Sequence, residues 1–400
     1  MNRTDHSRGL GCFLHRNWRK VLVSAGIALL LQAGDYFLTN VTYPLFDSVD
    51  ALLVFDYLAK RGDAPDEEML YLNVGYDKAL VPATDAFGDT IGVIPVTDRK
   101  LLAEFLAGIK DADYRYLFVD IRFEADTGSE DDSLLFSAMA GLDRFSFSTH
   151  RGEDPLVPDS LLSKSAYSDF RGNFRDGFTR YEFLQSGHES SALRMYATLY
   201  GKEMKRKGPL FLLDGRLAYN MLFVPFYLND ASSSGGMGLV KYPYLGYEMK
   251  KDPALTELKE RAKGKIVVVG DFENDWHQTY IGDVPGPILT VRAFQCLEAG
   301  AGRFSWICFG LTFCLYFIVL LLLLDGRDVT ERICRRLKIK SAFLAYLLTF
   351  LGWGLALSLL KIILYAAFGV AVVVFLPAAA FSTISFINKI KQLLRKQIPQ

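Results

Sequence analysis

The strongest constraint on this chain is an apolar segment that no charged residue interrupts. Residues 304–324 read FSWICFGLTFCLYFIVLLLLL. A helix of that length is about long enough to cross the roughly 30 Å hydrocarbon core of a bilayer. The segment therefore predicts a membrane-spanning helix.

Three further apolar stretches accompany it. Residues 341–388 carry a single charge, on Lys361, and are long enough for two spans, so we expect helices at 341–362 and 366–388 joined by a tight turn. A buried helical hairpin of a soluble protein is the alternative. The run at 21–41 is interrupted by Gln32 and Asp35. It favours an uncleaved signal anchor over a signal peptide, because no small-residue cleavage pattern follows it.

Basic residues flank these four stretches on one predicted side of the membrane. They fall in residues 1–20, in the loop 325–340 and in the tail 389–400. Since basic flanks stay in the cytoplasm, we expect a multi-pass protein of a bacterial inner membrane with both termini cytoplasmic and residues 43–302 periplasmic. The basic tail could also be a nucleic-acid-binding arm. The overall balance of 45 basic and 45 acidic residues excludes a general attraction to nucleic acid.

Opposite charges occur near the outer ends of the predicted spans. Asp35 and Lys361 would usually lie at the interface with water. They could instead pair and so link the first helix to the last two.

The exported segment has one cysteine, Cys296, so it cannot form an internal disulfide and must be stabilised by a hydrophobic core. Strand-like and helix-like stretches alternate along it. This alternation predicts an α/β domain with a mostly parallel sheet and helices on both faces. The predicted strands are EMLYLNV, YRYLFVDI, RFSFSTH, PLFLLD and KIVVVG; the predicted helices are TDRKLLAEFLAGIK, SEDDSLLFSAMAGL, SSALRMYATLYGKEM and ALTELKERA.

Four of the apolar strands end in or just before an aspartate. Because ligands bind at the carboxyl ends of parallel strands, we expect these side chains to meet at one rim. Each could also be an ordinary cap or first loop residue. The predicted ligand-binding residues are the four aspartates and the polar residues that follow two of these strands: Asp77, Asp120, Arg122, Asp214, Asp271, Asn274, Asp275 and His277.

The sequence has none of the short motifs that mark common catalytic sites. It lacks a Gly-rich phosphate loop, a nucleophile elbow, a paired-histidine zinc motif and a cysteine cluster. His277, near Asp271 and Asp275, could be a metal ligand or a general base, although polar surface loops often contain a histidine. We predict no cofactor and no catalytic residue.

Several stretches resemble the second type of CHASE domain, the cyclase- and histidine-kinase-associated sensory extracellular domain. They are LNVGYDKAL, IPVTDRKLLAEFL, FVDIRF, the segment containing Asp176, Gly177 and Arg180, and GKIVVVG followed by Pro285 and Gly286. The resemblance covers about residues 45–302, and the family arrangement of one span before the domain and three after it agrees with the spans predicted above.

The resemblance implies an extracytoplasmic sensor domain for an unknown small-molecule or envelope ligand. Relatives commonly continue into a cyclase or kinase, whereas few residues follow the last predicted span here. We therefore expect signalling through a separate cytoplasmic or membrane partner, in contact with membrane lipids; a homodimer is compatible with this reading. Two alternatives are a metal-dependent periplasmic hydrolase, using Asp77, Asp120, Asp271 and His277, and a structural subunit of a membrane complex.

Overall fold

A computed structural model describes most of the chain. The described residues are 5–41, 50–59, 66–84, 87, 89–123, 130–152, 157–170, 172–173, 177–228, 230–231, 242–251, 254–327, 332–333, 336 and 341–397. They form two compact units, a helical one (Met1–Leu58 and Phe304–Gln400) and an α/β one (Ala59–Arg303). Asp176 and most of the predicted basic loop 325–340 lie outside the described residues.

The described helices are, in chain order, α1 (Asp5–Val41, interrupted at Asn17), α2 (Asp50–Leu58), α3 (Arg99–Ile109), α4 (Glu130–Ala140), α5 (Asp159–Leu162), α6 (Ser191–Tyr200), α7 (Leu245–Glu248), α8 (Ala254–Ala262), α9 (Gly286–Glu298), α10 (Trp306–Leu324), α11 (Ala342–Phe368) and α12 (Phe375–Gln397).

The described strands are β1 (Met69–Asn73), β2 (Lys78–Thr84), β3 (Thr90–Thr97), β4 (Tyr116–Asp120), β5 (Phe145–Thr149), β6 (Ser165–Tyr167), β7 (Gly172–Asn173), β8 (Gly177–Phe178), β9 (Arg180–Glu182), β10 (Leu184–Gln185), β11 (His188–Glu189), β12 (Met204–Lys207), β13 (Leu210–Leu213), β14 (Arg216–Ala218), β15 (Met221–Phe223), β16 (Ile266–Gly270), β17 (Trp276–Thr279) and β18 (Gly282–Pro285).

Within the described residues of the helical unit, three helices are long and apolar enough to cross a membrane. They are Asn17–Asn40 within α1, Trp306–Leu324 and Phe343–Phe368. The prediction of four spans is therefore wrong for residues 366–388. The first three of those residues belong to α11, and α12 begins only at Phe375. The apolar part of α12 ends at Ile387, and the polar residues Asn388, Lys389 and Lys391 then follow within the same helix.

The four long helices pack so that their ends are aligned. Lys20 Nζ, near the start of the first span, lies 2.7 Å from Asp325 Oδ1, just after α10. Asn388 Nδ2 donates a 2.7 Å hydrogen bond to the carbonyl oxygen of Leu323. Ring contacts of α11 with α12, such as Tyr346 with Phe386, show that α12 runs back along α11. One end of this unit thus gathers the start of the first span, the end of α10 and the polar part of α12.

Both ionisable residues that the sequence placed near the outer ends of the spans are buried within the helical unit. Asp35 is 6% exposed and Lys361 is 0% exposed. The Asp35 carboxylate accepts a hydrogen bond from the backbone N–H of Val373, in the turn between α11 and α12. The pairing of Asp35 with Lys361 stays a prediction. Helix α2 belongs to the helical unit, where it packs on α11.

The α/β unit is built on a five-stranded parallel sheet in the order β1-β16-β4-β5-β6. Alternate residues of the central strands, such as Val119 and Val267, pack on α3, α4 and α8 in one core. Helices α6 and α9 lie against the opposite face. The predicted parallel sheet covered by helices is confirmed. Its strands β1, β4 and β16 are almost entirely apolar because both of their faces are buried, whereas β5 and β6 also contain serines.

Local signals set the helix starts. Asp98 caps α3 by accepting the Leu101 N–H at 3.0 Å, and Ser190 caps α6 in the same way. The predicted strand PLFLLD requires a correction, because it is β13 of a separate antiparallel sheet, β12-β13-β14, rather than a strand of the parallel sheet. The hairpin β2-β3 was not predicted.

Candidate functional site

A cavity of about 850 Å³ opens at the carboxyl ends of the parallel strands. Strands β16, β4, β5 and β6 all end towards it, so the residues just after them reach its wall. The hairpin β2-β3, the first residue of α3, strand β8 and residues 271–278, which run into β17, also contribute to the lining. The polar and charged lining residues are Lys78, Thr97, Arg99, Asp120, Arg122, His150, Ser168, Asp169, Asp271, Asn274, Asp275, His277 and Gln278.

Asp271, directly after β16, is held in a dense set of hydrogen bonds. Its carboxylate accepts from Asn274 Nδ2 at 3.0 and 3.1 Å and from the backbone N–H groups of Glu273 and Asn274. Lys78 Nζ forms an ion pair with it at 3.0 Å. Burial alone would raise the pKa of Asp271, but the hydrogen bonds from Asn274 and Lys78 outweigh burial and hold this pKa below its ordinary value.

Asp275 and His277 form a pair at the start of α9. His277 Nε2 lies 3.0 Å from Asp275 Oδ1. The backbone oxygen of Asp275 accepts the Gly286 N–H at 2.8 Å, and a Cβ on Gly286 would lie only 2.1 Å from Asp275 Oδ2. Glycine at this first residue of α9 therefore lets the carboxylate lie against the positive end of the helix dipole. The Phe170 ring packs edge-on to His277, with the centroids 4.9 Å apart.

Asp120 ends β4 in the centre of the cavity wall. Burial, and to a smaller extent the nearby Asp275 carboxylate, raise the pKa of this carboxyl to about 7 against the opposing effects of Ser148, His150 and His277. Asp120 is therefore partly protonated near neutral pH. Its Oδ1 accepts a short hydrogen bond from the hydroxyl of Ser148.

A chain of buried hydroxyls runs inward from Asp120. Ser148 Oγ lies 2.6 Å from Ser168 Oγ, which lies 2.7 Å from Ser191 Oγ at the first turn of α6. Beside this chain, His150 Nδ1 lies 3.3 Å from Asp169 Oδ1. Hydrogen bonds from His150 and from the Arg151 N–H overcome the effect of burial and lower the pKa of Asp169.

Arg99, the first residue of α3, brings a nearly buried positive charge to the cavity. Its side chain is 5% exposed, and its Cζ lies 4.6 Å above the centroid of the Phe123 ring. Asp132 Oδ1 is 3.5 Å from Nε. Within the described residues, the buried Nε and Nη1 atoms have no hydrogen-bond acceptor. Burial lowers the pKa of this guanidinium, and Asp132 only partly offsets the effect.

The cavity brings together Asp120, Arg122, Asp271, Asn274, Asp275 and His277 of the predicted ligand-binding residues. Two others lie elsewhere. Asp77 accepts the Gly246 N–H at 2.9 Å beside α7. Asp214 lies in the exposed turn between β13 and β14, with a positive φ of 54°, and pairs with Lys202 at 2.5 Å. Asp214 is absent from the rim because its strand belongs to the antiparallel sheet.

The described residues contain no group of three or more His, Cys, Asp or Glu side chains arranged to hold a metal ion. Among the four residues of the hydrolase alternative, Asp77 does not line the cavity. Asp271 is already engaged by Lys78 and Asn274. The geometry thus gives the metal-hydrolase alternative no support.

Sequence reasoning missed Lys78, Arg99, His150, Ser168 and Asp169. His150 is the last residue of the predicted strand RFSFSTH, so the rule that selected Asp120 could have found it. Strand β6 has only three residues and shows no periodicity that would identify its end. Arg99 occupies an amphipathic helix, and only the fold reveals that its side chain is buried.

Comparisons of the chain with protein-family models, curated proteins and solved structures find no match.

Proposed function

We propose that this chain is a sensor of a bacterial inner membrane whose α/β unit binds a small ligand outside the cytoplasm. The observation that carries the proposal is the cavity of about 850 Å³ at the carboxyl edge of the parallel sheet. Its volume falls in the roughly 300–1,000 Å³ range of small-molecule sites, and this edge is where open parallel sheets bind ligands.

The charges of the lining support binding rather than catalysis. Asp271, Asp169 and Asp275 are each engaged by a neighbouring side chain, so they can position a ligand without supplying a free base. The described residues around the cavity offer no metal cluster. The site provides hydrogen-bond donors, acceptors and the apolar rings of Phe170 and Phe178.

The membrane assignment rests on the three apolar helices and on the aligned ends of the helical unit. In our proposal, the basic end that contains Lys20 faces the cytoplasm and the α/β unit lies outside. The α/β segment lies between the first span and α10 in sequence. Ligand binding would therefore change the relative position of these two helices. A separate cytoplasmic or membrane protein would receive the signal.

Cysteine labelling tests the location. In a chain with its native cysteines replaced by alanine, His188→Cys places a thiol on the exposed strand β11. We expect an impermeant maleimide to label it on intact spheroplasts. The matched control, Arg327→Cys beyond α10, should react only after lysis. Protection at position 188 before lysis would contradict the proposed location.

A cavity-blocking variant tests ligand binding. Gln278→Trp fills the lining from an exposed position, whereas Lys207→Trp adds the same ring on strand β12, away from the cavity. We expect at least one small solute to raise the thermal midpoint of the full chain in lipid nanodiscs, and this shift to disappear only in Gln278→Trp. Equal shifts in both variants would place binding elsewhere.

Two outcomes would favour the remaining alternatives. A structural subunit should assemble normally after Asp120, Asp271 and Asp275 are all replaced by alanine, and a sensor should lose its response. A hydrolase should turn over substrate in the purified state and lose activity on chelation. Crosslinking of the full chain in its native membrane, followed by mass spectrometry, would identify the partner that the sensor proposal requires.

A further inference from the structure

Three arginines in the described part of the α/β unit are nearly buried, Arg99, Arg180 and Arg292. Arg180 does not line the cavity, and the two others are compensated very differently. Arg292 is 1% exposed and is surrounded by acceptors. It bonds both carboxylate oxygens of Asp66 and of Asp230, and Gln295 Oε1 as well, at 2.6 to 3.0 Å. This pattern is how a folded chain normally satisfies a buried guanidinium.

Arg99 lacks such compensation. Its nearest carboxylate oxygen is 3.5 Å away, and two of its three nitrogens are buried without an acceptor in the described part of the chain. A buried cation left without hydrogen bonds destabilises the fold that contains it. Arg99 also lines the cavity. The missing acceptor can therefore come from a ligand that carries an anionic group.

Another part of the cavity wall has an excess of negative rather than positive charge. Asp120 and Asp275 both line the cavity and interact as like charges, and burial raises the pKa of Asp120 to about 7. The histidine beside Asp275 is part of an existing pair. A positively charged ligand group placed between these carboxylates would relieve their repulsion. The other lining carboxylates, on Asp169 and Asp271, already have cationic or N–H partners.

We propose that the cavity binds a small zwitterion, such as a free amino acid or a short peptide. Arg99 would hold its carboxylate, and Asp120 with Asp275 would hold its ammonium group. This inference rests on the proposed function of the cavity as a ligand site and assigns the chemical class of the ligand. A dianion such as phosphate is disfavoured, because the same wall presents several carboxylates.

The test uses the full chain in nanodiscs and matched ligand fragments. The probes are the twenty amino acids and dialanine, each compared with the acid lacking its ammonium group and the amine lacking its carboxylate. For leucine these fragments are 4-methylpentanoate and isopentylamine. Inorganic phosphate and glucose represent the anionic and neutral classes. The readout is the thermal midpoint as a function of probe concentration.

We expect at least one zwitterion to raise the thermal midpoint. Each of its fragments should need a roughly 10- to 100-fold higher concentration for the same shift, because the fragment lacks one hydrogen-bonded charge. In Arg99→Met the zwitterion should lose its advantage over the amine. In Asp120→Asn/Asp275→Asn it should lose its advantage over the acid. Arg99→Met without ligand should melt no lower than wild type, because methionine removes an uncompensated charge.

The outcomes separate this inference from the proposed function. If only phosphate or glucose shifts the midpoint, or if a zwitterion is no better than its fragments, the zwitterion assignment is overturned while the cavity remains a ligand site. If no probe class and no other small solute stabilises wild type over Gln278→Trp, both proposals fall. A much lower midpoint of ligand-free Arg99→Met would show that Arg99 is structural and would overturn its assigned role.

Discussion

Asp120 lies on the cavity wall, and burial raises the pKa of its carboxyl group. The free energy of unfolding therefore depends on pH through the protonation of Asp120. Its folded-state pKa of about 7 exceeds the ordinary value of 3.8. Between these two values the folded chain binds more protons than the unfolded chain. The contribution of Asp120 is therefore fully present below about pH 3.8 and is lost as pH rises through 7.

We predict that Asp120→Asn removes this part of the pH dependence. The charged and titratable groups that act on Asp120 are Asp275, His150 and His277, and all of them remain in the variant. The thermal midpoint of wild type, relative to that of the variant, should fall steadily between pH 4 and pH 8. Thermal melts of both full-length proteins across this range measure the difference. Parallel curves would contradict the assigned pKa.

The compensated arginine gives a second residue-scale prediction. Asp230 is 0% exposed and holds Arg292 through two hydrogen bonds, at 2.6 and 2.9 Å. Asp230→Asn keeps the shape but removes the charge, which leaves Arg292 poorly paired. We expect a loss of about 3–5 kcal/mol in the free energy of unfolding, measured by urea denaturation of the full chain in detergent.

The matched control for Asp230→Asn is an exposed ion pair. Lys205 Nζ lies 2.7 Å from Glu203 Oε2, with both side chains more than 60% exposed. Glu203→Gln should change the unfolding free energy by less than about 1 kcal/mol, because water already screens this pair. Similar losses of unfolding free energy in Asp230→Asn and Glu203→Gln would show that the buried Arg292 cluster stabilises the fold no more than an exposed ion pair does.

At the scale of secondary-structure elements, the wall of the cavity depends on a close contact between β8 and β17. Gly177 has a φ of 64°, and a Cβ there would lie 2.1 Å from the carbonyl oxygen of Gln278. We predict that Gly177→Ala lowers the unfolding free energy by more than about 1–3 kcal/mol, since backbone strain and a clash with backbone add together.

Gly187→Ala is the control, because its φ is also positive, at 93°, but nothing lies within 4 Å of a Cβ there. Gly187→Ala should lower the unfolding free energy only by the backbone strain of a positive φ, about 1–2 kcal/mol. Urea denaturation of both full-length variants separates the clash from the strain. If Gly177→Ala were no worse than Gly187→Ala, the close approach of β8 to β17 would be wrong.

The elements also show which parts of the fold the sequence could predict. The strands β1, β4 and β16 are almost continuous apolar runs buried on both faces, and this pattern is typical of parallel strands covered by helices. Strand β13 carries a similar run but pairs with its neighbours in an antiparallel meander, so its direction depends on local turns rather than on hydrophobicity. The same difference placed Asp120 and Asp271 in the cavity and left Asp214 outside it.

Other parts of the site could not be predicted because they depend on tertiary packing. Hairpin β2-β3 contributes Lys78 and Thr97 to the lining, yet several of its apolar residues, including Leu80 at 70% exposed, face away from any core. Such a strand does not show the alternation that identifies a half-buried strand. The missing compensation of Arg99 likewise becomes visible only when the neighbours of its guanidinium are known.

At the scale of the whole chain, the packing of the helical unit bears on which side of the membrane the C-terminal segment lies. Among the residues that the structure describes, three helices have the length and apolarity of spans, and α12 does not. Three crossings alone would leave the N- and C-terminal segments on opposite sides of the membrane. However, α12 packs back along α11, and Asn388 bonds to the end of α10, beside the Lys20 to Asp325 pair. The packing therefore returns the polar part of α12 to the end that also holds Lys20.

We predict that position 391 lies on the same side of the membrane as position 327, and that position 367 lies on the opposite side. The basic residues of the tail favour the cytoplasmic side, and the helix contacts place them beside the other basic segments. In the cysteine-free chain, Lys391→Cys should react with an impermeant maleimide only after lysis. Ala367→Cys, exposed near the end of α11, should react on intact spheroplasts. Labelling of position 391 before lysis would mean that α12 does not return along α11 in the membrane, and the aligned ends of the helical unit would then be incorrect.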